Sequence, residues 1–86
     1  MNINELIAIV KKKLKKEIVI QVLKIEDKSF LHKNHKGHRE GKFHLKLIIK
    51  SDELTKSSKI ISTKKIYSIL DLELKEYIHS IQILLS

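Results

Sequence analysis

The sequence predicts an α+β fold with the element order α-β-β-(short α)-α-β and a mixed three-stranded sheet. Three features predict it: an apolar stripe at helical spacing near the start, alternating apolar and polar residues over Lys42–Lys50, and a last apolar segment reached through helices. A strand that follows a helical crossover runs parallel to its neighbour, whereas the first two strands need only a loop and can pair antiparallel. We therefore expect helices on one face of the sheet, in a single domain that spans residues 1–86.

The first predicted helix begins after Asn2, which can cap it with Glu5 as the capping-box partner. Lysines crowd its last turns, where positive charge complements the negative end of the helix dipole. A basic amphipathic helix can also lie on a membrane surface. A domain this small needs such a helical face for its own core, so we predict that it packs on the sheet. The apolar stripe consists of Ile3, Leu6, Ile7, Val10 and Leu14.

The first two strands are predicted from residue type and alternation. Ile18–Ile25 is rich in β-branched residues and too short for an independent helix. In Lys42–Lys50, alternation predicts one face that is covered by the core and one wetter face, with His44 on the wetter one. The residues expected on the covered face are Phe43, Leu45, Leu47 and Ile49.

The second half of the chain predicts two helical stretches and a third strand. Ser51–Lys59 is polar and turn-like, with a short helical turn, and Ser62 or Thr63 is predicted to cap the second main helix. The last segment, Ile78–Leu85, is predicted as a strand in which His79 is half-buried. The apolar stripe of the second main helix consists of Ile66, Ile69, Leu70, Leu74 and Tyr77.

Composition limits the possible functions. The net charge of +8 suits an acidic partner such as nucleic acid, although a genome biased towards AT-rich codons would produce the same excess of lysine and isoleucine. The chain has no cysteine, so any metal must be bound by His, Asp or Glu, and we expect a cytoplasmic location. No apolar run approaches the ~20 residues of a membrane-spanning helix.

Four of the five histidines lie between Asp27 and His44, in a segment that lacks periodicity and reads as a loop. Imidazole binds iron and zinc, but a stable site needs three or four converging ligands on a firm scaffold. The loop is therefore either a solvated segment or a source of ligands that act within a complex with another protein. Three of these histidines, His32, His35 and His38, lie in the loop, and His44 lies in the strand that follows it.

Several short motifs of the chain resemble the BolA family over nearly its whole length. Asp27, Ser29 and His32 form the pattern D-x-S-x-x-H, and Ser51 ends the second strand. The segments "IYSIL" (residues 66–70) and "IHSI" (residues 78–81) resemble the family's Val-Tyr-x-x-Leu and Ile-His-Ala-Leu. The resemblance implies a class II KH-like fold. It also implies a non-catalytic adaptor that binds a monothiol glutaredoxin, with a [2Fe-2S] cluster shared in some complexes, in iron-sulfur and iron homeostasis.

The chain departs from the family pattern in the segment before residue 66. The family usually carries Arg-His-Arg there, and in this chain Thr63 stands in place of the signature histidine. If a cluster is shared, the resemblance leaves His32 as the loop ligand and requires a second one from His35, His38 or His79. We expect no cofactor on the isolated monomer. The predicted metal ligands within a partner complex are His32 and His35, and the predicted partner-binding residues are His32, Thr63, Lys64 and Tyr67.

The alternative function is a DNA-binding transcriptional regulator of stress response and cell morphology, as described for some bacterial relatives. A helix that starts among lysines can contact phosphates, but this one has no Arg, Asn or Gln placed to read a base edge. Enzyme activity is not expected, because the chain has neither a Cys–His pair nor a glycine-rich phosphate loop. The candidate DNA-binding residues are Lys56, Lys59, Lys64 and Lys65.

Overall fold

The computed structural model describes residues 1–29 and 42–86 and confirms the predicted fold class. The sheet has the order β1-β2-β3, with β1 antiparallel and β3 parallel to the central β2. Helices pack on one face, as predicted. The elements in chain order are α1 (Ile3–Glu17), β1 (Val22–Asp27), β2 (Phe43–Lys50), α2 (Asp52–Thr55), α3 (Lys59–Ile69), α4 (Asp71–Glu76) and β3 (Ile78–Leu85).

The start of α1 has the predicted capping box. Asn2 Oδ1 accepts a hydrogen bond from Glu5 N at 2.8 Å, and Asn2 Nδ2 donates to Glu5 Oε1 at 2.9 Å. One side of the helix is fully buried through Leu6, Val10 and Leu14, which recur at four-residue intervals. The sequence pattern therefore fixes both where α1 begins and which side faces the sheet.

The predicted first strand, Ile18–Ile25, is wrong in its boundaries. Ile18 N donates to Leu14 O at 2.9 Å, so Ile18 ends α1, and its buried side chain belongs to the core below the helix. The strand itself begins at Val22 and continues to Asp27. β-branched residues are as compatible with the extended segment that connects α1 to β1 as with the strand itself. Composition alone therefore did not show where the connecting segment ends and the strand begins.

The central strand β2 shows the predicted alternation. Leu45, Leu47 and Ile49 are buried against the helices, and Phe43 packs partly buried at the edge of the same core. The remaining residues of β2 point to the opposite face, which no helix of the described residues covers. We call this second face the open face of the sheet.

The start of α3 differs from the prediction. Ser58, not Ser62 or Thr63, caps the helix by accepting a hydrogen bond from Ile61 N at 3.2 Å. Ser62 is instead buried inside α3 and donates its Oγ proton to Leu54 O at 2.6 Å, which ties α3 to α2. Because that bond satisfies the Ser62 hydroxyl within the core, Ser62 is not available as a cap.

The predicted second main helix is two helices that join at Leu70. Leu70 N donates to Ile66 O at 3.0 Å and Leu70 O accepts from Leu74 N at 2.8 Å, so Leu70 ends α3 and begins α4. Ile66 and Leu70 are fully buried, so the apolar stripe continues across the junction as predicted. Tyr77 O then accepts from Phe43 N at 2.9 Å, which leads the chain into β3 beside the start of β2.

One buried ion pair joins α1 to α4. Lys13 Nζ donates to Glu73 Oε2 at 2.7 Å, and the Glu73 side chain is only 3% exposed. Leu74 and other partly buried apolar residues complete this side of the core. The pair gives the carboxylate a positive partner at a position where water does not reach it.

Candidate functional site

Two histidines lie together at one end of the sheet, where β2 and β3 begin side by side. The rings of His44 and His79 have centroids 4.9 Å apart and planes inclined by 31°. His44 Nδ1 and Ser80 Oγ are 2.6 Å apart, a hydrogen bond whose donor depends on the imidazole tautomer. We call His44, His79 and Ser80 the imidazole site.

The backbone of the imidazole site is held by the loop that leaves β1. Asp27 Oδ1 accepts from Ser29 N at 2.9 Å, which folds the chain back on itself. Ser29 Oγ then accepts from His44 N at 3.0 Å, and Lys28 N donates to His44 O at 2.7 Å. The D-x-S motif of the sequence therefore connects the end of β1 to the first residues of β2.

The exposure of the two histidines is opposite to that predicted. His44 lies on the open face as expected, but it is only 6% exposed because Ser80, the His79 ring and the end of β1 surround it. His79, predicted to be half-buried, is exposed. A register irregularity between Phe43 and His44 shifts the pairing of β2 with β3 at this point. Because of that shift, His44 pairs with Ser80 and not with His79, although the His79 ring still lies against the His44 ring.

The other predicted site residues fall into two groups. His32 and His35 lie outside the described residues, so their part as metal ligands stays a prediction. Thr63, Lys64 and Tyr67 all lie on α3, on the helical side of the sheet.

The start of α3 is separated from the described ends of the histidine loop by the length of β2. Those ends, at Ser29 and Lys42, flank the first residues of β2, whereas α2 and the start of α3 follow its last residue. Between them, β2 spans about 23 Å at roughly 3.3 Å per residue. Among the described residues, Thr63 is therefore not part of the imidazole site. The predicted joining of His32 and Thr63 in one patch stays a prediction.

The four candidate DNA-binding lysines are not equivalent. Lys56, Lys59 and Lys64 are exposed around the start of α3. Lys65 Nζ instead donates to Glu53 Oε2 at 3.2 Å, so part of its charge is compensated. This hydrogen bond, with a second one from the backbone N–H of residue 19, holds the pKa of Glu53 below its ordinary value of 4.5.

The described residues offer few side chains that could bind a metal together. Within residues 1–29 and 42–86, no three His, Cys, Asp or Glu side chains come together as a metal site. The imidazole site offers two rings, of which the His79 ring is exposed. A metal bound here would need further ligands from another protein or from the loop. None of the helices in the described ranges is long and apolar enough to cross a membrane.

The sequence matches a known protein family over most of its length. The family model described as "BolA-like protein" matches residues 14–86. The chain belongs to the BolA family. A search of curated protein sequences found no match.

Solved structures of BolA proteins share the fold. The BolA domain of SufE1 from Arabidopsis thaliana is 32% identical, covers 92% of this chain and 87% of its own, and has a TM-score of 0.77. BolA1 from Arabidopsis thaliana is 26% identical over the same shares of the two chains, with a TM-score of 0.76. BolA1 from Mus musculus, at 20% identity, matches 88% of this chain and 59% of its own with a TM-score of 0.70, which shows the common fold.

The pairing of His44 with His79 is the feature that sequence reasoning missed. The signal for it was present, because the predicted parallel pairing of β3 with β2 brings the first residues of both strands together. His44 and His79 are each the second residue of their strand. Combining the predicted topology with these two positions would have placed the rings side by side.

Proposed function

We propose that this BolA-family chain is a non-catalytic adaptor that binds a monothiol glutaredoxin at the imidazole site. The observation that carries the proposal is the exposed ring of His79 beside the buried, hydrogen-bonded ring of His44. Family membership supports the class of partner, because the resemblance to BolA proteins implies association with a monothiol glutaredoxin. In this account the docking surface is the end of the sheet that carries the histidine loop.

The chemistry of His79 suits a ligand that completes a partner's metal site. A neutral imidazole nitrogen is a good donor to iron, and an exposed ring can reach a metal held on another protein. Contact with the His44 ring restricts the directions that the His79 ring can take, and Ser80 holds His44 in turn. The imidazole site therefore orients one ligand, the ring of His79, and the remaining ligands would come from the partner and from the loop.

A shared [2Fe-2S] cluster is the group that fits this donor set. When bound, such a cluster supplies iron atoms that accept thiolate or imidazole ligands. In this chain His79 would be a ligand, with His32 or His35 of the loop as the second. Thr63 would not be a ligand of the cluster, because a neutral hydroxyl is a poor iron ligand.

Titration of isotope-labelled protein with a monothiol glutaredoxin, followed by NMR, tests the proposal. We expect shifts at His44, His79 and Ser80 with the apo or the cluster-loaded partner, and unchanged signals at Lys59 and Ile61 of α3. If both forms leave the signals of the imidazole site unchanged, the proposal is wrong. The change His32→Ala then tests the loop ligand, because an unaltered visible spectrum of a shared cluster would remove His32 from the ligand set.

DNA binding is the second candidate, and the three exposed lysines at the start of α3 favour it. They form a surface on which phosphates can be neutralised, whereas Lys65 is engaged with Glu53. A regulator should prefer one duplex over random sequence at physiological salt. Equal affinity for all duplexes that falls steeply with added salt would reduce this binding to general charge attraction.

A further inference from the structure

The outer side of α3 carries three large apolar side chains that face solvent. Ile60 is 70% exposed, Ile61 is 60% exposed and Tyr67 is 43% exposed. Ile60, Lys64 and Tyr67 recur at positions i, i+4 and i+7, so they line one side of the helix. Contiguous apolar patches on a soluble domain mark surfaces that bind another molecule. We call Ile60, Ile61, Lys64 and Tyr67 the α3 face.

The α3 face is not a by-product of burying the core. Ser62, Ile66 and Leu70 form the inner side of the helix and are all buried. They lie about half a turn around the helix axis from Ile60 and Ile61, at roughly 100° per residue. Ile60 and Ile61 are thus large apolar residues outside the buried stripe of α3, and they remain exposed within the described part of the chain.

The α3 face is separate from the imidazole site. The helices cover the side of the sheet that carries Leu45 and Leu47, whereas His44 points to the open face. A protein bound on the outer side of α3 would therefore leave His79 accessible. An adaptor with two separate surfaces can hold two partners at once.

The charge around the α3 face defines the chemistry of its partner. Lys59 and Lys64 are exposed beside the apolar residues. Two acidic residues near the helix are engaged by other lysines: Glu53 pairs with Lys65 at 3.2 Å and Asp71 pairs with Lys75 at 3.0 Å. A second copy of this chain would bring the same lysines and another net charge of +8 against the face, which disfavours self-association. The partner should therefore carry carboxylates around an apolar centre.

We propose that the α3 face docks an acidic amphipathic helix of another protein. α3 has 11 residues and is about 16 Å long, so it presents a straight ridge that another helix can pack against. Ile60 and Ile61 supply the apolar contact, and Lys59 and Lys64 pair with carboxylates at its border. Duplex DNA would satisfy the lysines but would press two isoleucines against charged phosphates, where they gain no apolar contact. The inference goes beyond the glutaredoxin proposal and does not depend on it.

A pair of synthetic peptides tests this inference. The first, of about 18 residues, places leucines at helical spacing among glutamates; the second has the same composition in an order that forms no apolar stripe. NMR titration of the full chain should show shifts at Ile60, Ile61, Lys64 and Tyr67 with the first peptide. The second peptide, with equal charge, should bind at least about tenfold more weakly.

Variants of exposed residues separate specific docking from general attraction. The double change Ile60→Ser and Ile61→Ser should weaken binding of the first peptide by about tenfold, because it removes apolar contact from the centre of the face. Val22 is a matched control, since it is an exposed β-branched residue, 53% exposed, on β1. Val22→Ser should leave the affinity within about twofold.

Three outcomes would overturn the inference. Equal affinity for the two peptides would show that only charge is recognised. Shifts away from α3 would show that the helix docks elsewhere. A duplex DNA that shifts the α3 face more strongly than the first peptide, with no effect of Ile60→Ser and Ile61→Ser, would assign the face to nucleic acid. Glutaredoxin binding at the imidazole site is measured separately, by the shifts at His44 and His79.

Discussion

The ion pair between Lys13 and Glu73 lets a single substitution test how much a buried carboxylate depends on its positive partner. The quantity measured is the free energy of unfolding. Glu73 is 3% exposed, whereas the Lys13 side chain is 38% exposed. Among the described residues, Glu73 Oε1 has no hydrogen-bond partner. The bond from Lys13 Nζ to Glu73 Oε2 is therefore the side-chain interaction that stabilises the buried negative charge. The change to make is Lys13→Met, which keeps the aliphatic stem and removes the ammonium group.

The loss in the free energy of unfolding depends on which partner of the ion pair is removed. Loss of one partner from a fully buried ion pair costs about 3–5 kcal/mol. Because Lys13 is partly exposed and solvent screens its charge, we expect about half of that, or ~2 kcal/mol, for Lys13→Met. Glu73→Gln should cost less than about 1 kcal/mol, since it removes the buried charge and leaves a lysine that water can solvate.

Urea denaturation at neutral pH measures both variants, and thermal unfolding provides a check. For a domain of this size, ~2 kcal/mol corresponds to a fall in Tm of about 8–16 °C. The reasoning fails if Lys13→Met changes the free energy of unfolding by less than about 0.5 kcal/mol. It also fails if Glu73→Gln destabilises the domain more than Lys13→Met does.

Three further predictions concern the α2–α3 corner. Ser51→Ala should lower the free energy of unfolding by about 2 kcal/mol, since its hydroxyl both caps α2 at Leu54 and donates to a backbone carbonyl, and a urea midpoint like that of the wild type would contradict this. Ser62→Ala should cost about 1–2 kcal/mol in the same assay, because it removes the hydroxyl donor to Leu54 O inside the core. Glu53 has a lowered pKa, chiefly through its hydrogen bond with Lys65, so its ionised form stabilises the fold above pH 4.5 and that contribution is lost as pH falls through the folded-state pKa. The stability advantage of the wild type over Glu53→Gln should therefore shrink on acidification, and an advantage that stays constant to about pH 3 would refute the assignment.

Local rules predicted the fold where one interaction dominated. Asn2 and Glu5 formed the expected cap, and the alternation around Leu45 and Leu47 fixed the two faces of β2. The helix start was misplaced because Ser58, Ser62 and Thr63 are all chemically able to cap. Only the tertiary bond from Ser62 to α2 decides among them, and a bond between residues eight apart in two helices has no local signal.

The candidate site depended on contacts between strands, which sequence patterns describe less well. Alternation placed His44 on the correct face, but its burial comes partly from residues more than thirty positions later in the chain. The register shift that pairs His44 with Ser80 joins two strands, and no residue type in the sequence marks that shift. The exposed Ile60 and Ile61 of α3 were not predicted, because the predicted second main helix began after them, at Ser62 or Thr63.

The most direct test of the proposed function is the affinity of His79→Ala for a cluster-loaded monothiol glutaredoxin, compared with Leu84→Ala on the same strand. Leu84 is 43% exposed and lies near the other end of β3, so its variant controls for changes to the strand surface away from the imidazole site. We predict that His79→Ala weakens binding by at least about tenfold and alters the visible spectrum of the complex, while Leu84→Ala stays within about twofold of the wild type. Equal affinities and identical spectra for the two variants would contradict the proposal.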